Sequence, residues 1–101
     1  MLKHIVMWQF IDEAEGQSVR EHAEWMKSHL EALVGVVPEI KQLEVGINQA
    51  ESPAAFDAVL TLLVEDAEAL ARYKAHPAHQ AISTHCKAVR SDRVVVDYEV
   101  E

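Results

Sequence analysis

An α+β fold is predicted for this chain by three observations taken together. Strand-like and helix-like apolar periodicities follow one another in the order β-α-β-β-α-β. The closing segment, Arg93 to Val100, alternates Val94, Val96, Tyr98 and Val100 against Arg93, Asp97 and Glu99, the period of a strand with two unlike faces. The opening segment, Lys3 to Ile11, is apolar on both faces: Ile5, Met7 and Ile11 share one, Val6, Trp8 and Phe10 the other.

Each intervening element has its own signal. Ser18-Val19-Arg20-Glu21 is a capping box, in which the Ser18 hydroxyl accepts from the Glu21 amide while the Glu21 side chain reaches back. It opens a helix to about Val34, with Val19, Ala23, Met26, Leu30 and Leu33 in one apolar stripe. Gly35 is a natural stop, and Pro38 prevents resumption. Ile40 to Ile47 sets Leu43, Val45 and Ile47 against Gln42, Glu44 and Gly46, and Phe56 to Val64 is a strongly apolar strand. A loop through Asn48 to Pro53 makes these two a hairpin. Asp66 is placed to cap a helix through Leu70 and Tyr73 towards His76. Pro77 suits the first turn of a further short helix to about Val89, where its missing N–H has no partner to lose. The order is that of a ferredoxin-like fold, and residues 1–101 read as one domain.

Composition narrows the function classes. Nine Lys and Arg against 17 Asp and Glu give a formal charge of −8, with no basic run, so neither nucleic acid nor an anionic membrane is expected as a partner. The single cysteine, Cys86, rules out an intrachain disulfide framework and reads as a small buried hydrophobe. The start, Met1-Leu2-Lys3-His4, lacks the apolar core of a signal peptide, and a cytoplasmic location is expected. No Gly-rich phosphate loop, nucleotide fingerprint or serine nucleophile elbow occurs, so no cofactor is expected.

The two-faced strands carry a consequence for assembly. The third strand repeats the pattern of the first, with Val59 and Leu63 against Phe56, Leu60 and Leu62. A ferredoxin-like sheet carries helices on one face only, and an apolar second face left wet exceeds what monomers usually expose. The same face of a second copy, in a two-fold homodimer, is the expected cover, giving a dimeric α+β barrel. His4 shares its strand face with Val6, Trp8 and Phe10, the face expected to look into the dimer interior.

Six histidines is a high number, and Tyr73-Lys74-Ala75-His76-Pro77-Ala78-His79 places a phenol and two imidazoles at intervals of three. Imidazole suits proton transfer near neutral pH, and a tyrosine hydroxyl orients a carbonyl or stabilises charge developing on it. On a purely structural reading, His76 caps the helix that Pro77 opens and His79 packs at the sheet edge. A metal reading pairs His76 and His79 with Asp57, Glu44 or Asp97, but the pair lacks a metalloprotease pattern and a local third ligand, so no metal is expected. His22, Trp25 and His29 fall on the first helix at spacings of three and four, as a half-exposed or packing face.

These segments resemble the stress-responsive A/B barrel (Dabb) family over nearly the whole chain. The matching residues are Leu2 to Trp8, Val45 to Asn48, Phe56 to Leu60, Leu70 to His79 and Val94 to Glu99. Tyr-x-x-His-Pro-x-His and the terminal Val-Asp-Tyr are the most specific of them. The resemblance implies a dimeric α+β barrel. Most family members have no assigned reaction, and some are known as stress-induced stability proteins. One branch, the plant polyketide cyclases such as olivetolic acid cyclase, closes a polyketide by aldol condensation without a cofactor. Carried over to this sequence, that branch implies His79 as the base, Tyr73 holding a substrate carbonyl, and His4 shaping or polarising the site. His76 would be structural. A related branch implies cofactor-independent monooxygenation instead. The leading expectation is therefore a small apolar pocket per subunit, containing His79, Tyr73 and His4 and lined by Val6, Trp8, Phe10, Leu60 and His76, for a small apolar carbonyl ligand. Its rivals are a non-catalytic stress-associated protein and a monooxygenase-like enzyme.

Overall fold

The first strand, β1, is Leu2–Phe10 in the computed structural model, which describes residues 1–101, and its burial alternates from Lys3 to Phe10. The capping box then forms as the sequence requires. The Glu21 amide donates to Ser18 Oγ at 3.2 Å and the Ser18 amide to Glu21 Oε1 at 2.9 Å, starting α1, Val19–Glu31. The helix ends three residues before the predicted Val34. A turn follows, in which Gly35 adopts the left-handed region at φ +87°, a conformation that costs glycine little. Two strands follow, β2 at Gln42–Ile47 and β3 at Ala58–Val64. The last begins two residues after the predicted Phe56, which is half-buried in the preceding loop.

Asp66 caps α2, Ala67–Ala75, by accepting from the Ala69 amide at 2.8 Å. His76 is at once the last cap of α2 and the first of α3, Pro77–Val89. Its ψ of 132° is the extended conformation that a following proline enforces, and its Nδ1 accepts from the Ala78 amide at 3.1 Å. The final strand, β4, is Arg90–Glu99 and starts directly from α3, three residues earlier than predicted. A 3₁₀ turn at Ala14–Gly16 was not foreseen.

The four strands form one antiparallel sheet in the order β2-β3-β1-β4. Across its centre Val6 stands opposite Leu60 on one side and Val95 on the other. The helices cover the face that carries His4, Val6, Trp8 and Phe10 from β1 and Ala58, Leu60, Leu62 and Val64 from β3. Met26 and Leu30 of α1, Leu70 and Tyr73 of α2, and Ile82 and Cys86 of α3 complete that core.

This corrects the expected orientation of the first strand. The face with His4, Val6, Trp8 and Phe10 points into the core of its own subunit, not towards a second copy. Alternation tells which residues share a face; it does not tell which face the helices take when both are apolar. Here the aromatic set has the larger surface to bury, and Trp8 and Phe10 stack with ring centroids 6.5 Å apart. The helix-free face is formed by Ile5 and Met7, Val59 and Leu63, and Val94, Val96 and Tyr98, several of them about half exposed. β4 extends beyond the helices, and every residue from Ser91 to Glu99 is exposed.

Candidate functional site

Because β4 overhangs the helix layer, a cavity of about 470 Å³ lies between the sheet and the helices and opens between α3 and β4. His4, Val6 and Trp8 reach it from β1, Leu60 from β3, Met26 and Leu30 from α1, Tyr73 and Lys74 from α2, and His79, Ile82 and Cys86 from α3. Six of the eight predicted site residues line it: His79, Tyr73, His4, Val6, Trp8 and Leu60. Phe10 and His76 do not. Phe10 sits beyond Trp8 against the His22 ring, and the His76 imidazole is committed to its capping bond.

Tyr73 and His79 meet because Pro77 breaks the chain between them. The break re-aims α3 so that the two rings lie with centroids 4.5 Å apart at 48°. Tyr73 is fully buried, and its hydroxyl has no hydrogen-bond partner. Burial holds the phenol well above its ordinary value of 10, so it stays a donor across the physiological range. An unpartnered buried hydroxyl is costly, and on a cavity wall it is a donor waiting for an acceptor.

His79 Nδ1 lies 3.2 Å from the Lys74 carbonyl. A carbonyl only accepts, so this nitrogen carries the proton and Nε2 is left with a free lone pair. Burial lowers the His79 pKa first, partly opposed by that carbonyl, and the nearby His4, Arg93 and Lys74 lower it further. The imidazole is therefore neutral at pH 7, as a general base must be.

His4 is the third group. Its Nδ1 lies 2.5 Å from Asp97 Oδ1, across the β1–β4 pair in which the two residues stand directly opposite. Burial again lowers its pKa first, against the raising effect of the Asp97 carboxylate. The ring thus has one nitrogen fixed by a carboxylate and the other free, an arrangement that orients an imidazole and raises its basicity.

Sequence reasoning missed the Asp97 pairing and weighed that residue only as a metal ligand. Its other two third-ligand candidates are elsewhere: Asp57 Oδ2 accepts from the Phe10 amide at 2.8 Å, and Glu44 lies at a second depression on the helix-free side. No group of three or more His, Cys, Asp or Glu side chains converges on a point. Sequence reasoning also missed the cationic lining of Lys74, Lys87, Arg90 and Arg93. The remaining histidines do other work: His29 and His85 stack on the two sides of Trp25 at 3.8 and 3.9 Å, while His22 is buried with both ring nitrogens unpartnered.

The fold and this cavity define a small α+β protein with two tautomer-fixed imidazoles and a buried phenol around an internal pocket. The pattern of the stress responsive A/B barrel domain (Dabb) matches residues 2–100, and the chain belongs to that family. It is 33% identical over 81 residues to an uncharacterised protein of Streptomyces coelicolor, covering 80% of this chain and 81% of that one. A dimeric ferredoxin-like protein of unknown function from Bacteroides fragilis superposes with a TM-score of 0.84 at 26% identity, covering 98% of this chain and 95% of that one. A hydroxynitrile lyase from Passiflora edulis shares the fold with a TM-score of 0.79 at 15% identity, over 99% of this chain and 93% of that one. No helix is long and apolar enough to cross a membrane.

Proposed function

We propose that this protein performs cofactor-independent acid/base chemistry on a small carbonyl compound, of the kind that cyclises a poly-oxo chain. The observation that carries the reading is the Tyr73 hydroxyl, buried without a partner beside a neutral His79 whose Nε2 is free, both on a cavity of ligand size. In the reaction, His79 Nε2 takes a proton from a carbon flanked by two carbonyls. The C–H electron pair moves into the enolate, whose oxygen is held by the Tyr73 O–H. The enolate carbon then attacks a second carbonyl of the same molecule, and the new alkoxide takes the proton back from the imidazolium. His4, fixed by Asp97, presents its free nitrogen to the same space and polarises the second carbonyl's environment.

The test is turnover, or exchange of the central CH₂ of a β-dicarbonyl with D₂O, in wild type and in His79→Ala and Tyr73→Phe. Loss of exchange with the fold retained is expected. Unchanged exchange sinks the proposal, and variants that alter melting temperature alone would assign these side chains to stability. A reaction that proceeds only with dioxygen would turn the reading to oxygenation.

The proposal includes a two-fold homodimer through the helix-free sheet face. Met7, Val94, Val96 and Tyr98 expose an apolar strip there, and the Bacteroides protein of the same fold is dimeric.

A further inference from the structure

Lys74, Lys87, Arg90 and Arg93 are four of the nine cationic side chains in a chain of net charge −8, and all four line the one cavity. None of the 17 carboxylates does. Of the five cations elsewhere, three are neutralised locally, Arg20 by Glu24, Lys27 by Glu31 and Arg72 by Glu39, while Lys3 and Lys41 form no ion pair. The four at the cavity have no carboxylate within ion-pair distance. Lys74, Lys87 and Arg93 are exposed and Arg90 half-exposed, so they occupy the solvent end of a space whose inner end is Val6, Trp8, Leu60 and Tyr73. Gathering four like charges at one opening is unfavourable unless something of opposite sign visits it. The acidic remainder of the surface repels anions, so the opening is where the protein's field concentrates them.

The cations also reach the reacting groups. Lys74 and Arg93 lie close enough to His4 and His79 to disfavour a proton on either ring, and Arg93 acts on Tyr73 as well. A molecule with one end at the cations therefore has its other end at the phenol and the free imidazole nitrogens. Guanidinium groups match the two oxygens of a carboxylate or phosphate in a way that a neutral carbonyl cannot exploit.

We infer that the cavity takes an anionic carbonyl compound, an oxo acid or its phosphorylated counterpart, with the anionic group at Lys74, Lys87, Arg90 and Arg93 and the carbonyl against Tyr73. This rests on the acid/base reading of the same cavity and adds to it the charge of the substrate. It departs from the sequence-based expectation of an apolar ligand, since 8 of the 17 lining residues are hydrophobic and the rest are not.

The experiment titrates the intact protein with 3,5-dioxohexanoate and with its methyl ester, by NMR shift perturbation at neutral pH, at low and at raised salt. The acid is expected to bind roughly tenfold tighter than the ester, with the preference shrinking as salt rises. In a Lys87→Gln, Arg93→Gln variant, altered only at exposed positions, the preference is expected to fall towards one. Displacement by inorganic phosphate at lower concentration than by acetate would assign the anion as a phosphate; the reverse assigns a carboxylate. Equal binding of acid and ester overturns the anion inference and leaves the acid/base reading intact. Preferential binding of the acid without CH₂ exchange upholds the inference and overturns the base. Binding of neither overturns both.

Discussion

Replacing Tyr73 by phenylalanine should make the protein more stable and less active. The hydroxyl is fully buried and unpartnered, so the folded state bears its desolvation with nothing gained in return. Such a group costs about 1–3 kcal/mol. The ring remains, so its packing against His79 and the core is kept. A gain of about 1 kcal/mol corresponds to a rise of roughly 4–8 °C in melting temperature for a domain of this size. The assay is thermal and urea unfolding at one fixed protomer concentration, since the stability of a dimer depends on it. The urea midpoint should rise with an unchanged slope. Turnover of a β-dicarbonyl should fall by roughly 10²-fold, the usual effect of removing one donor to a developing oxyanion. A variant less stable than wild type would show that the hydroxyl is hydrogen-bonded in the folded protein. Equal turnover would show that no carbonyl depends on it.

Three further outcomes are expected. Asp97→Asn removes the carboxylate that opposes burial at His4, so the His4 ring, followed by NMR, should titrate still lower than in wild type; a higher midpoint would contradict the pairing. Both His4 and His79 have folded pKa values below 6.5, so the unfolded chain binds protons that the native one refuses. Stability should therefore be whole above about 6.5 and decline as pH falls towards the native values, with a shallower decline in His79→Gln; a flat profile from pH 7 to 5 would refute this. Val96→Glu places a charge in the middle of the helix-free apolar strip, and should shift sedimentation from dimer to monomer while leaving β1–β4 pairing intact.

The elements were legible in the sequence because their signals are local. A capping box, an Asp cap and a proline at the first helical position each act over a few residues and formed where expected, while the alternation in β4 marked a strand that begins three residues earlier. Tyr73 and His79 were legible for the same reason, being six residues apart across a proline break. The His4–Asp97 pair was not, because the two are separated by 93 positions and meet only through the register of the two terminal strands. The orientation of β1 was not legible either. Two apolar faces give equal periodicity, and only the packing of α1 and α2 against Trp8, Phe10 and Leu60 decides between them. The cationic opening had a weak signal, four of nine basic residues between positions 74 and 93, but convergence on one space depends on β4 folding back beside α3.

The electrostatics of the cavity fit together in a way that none of its groups shows alone. Burial keeps both imidazoles neutral, and the cations at the opening push in the same direction. The two rings are nevertheless opposed by different partners, His4 by a carboxylate and His79 only by a backbone carbonyl. In the proposed mechanism that difference in partners would suit His79 to the base role, although burial pushes both rings in the same direction, down. The cations that discourage a proton on His79 would, in the same reaction, hold the anionic end of the substrate, leaving the enolate oxygen to the phenol at the inner end. Tyr73 completes the set, since a phenol held above its ordinary pKa donates to that oxygen without surrendering its own proton.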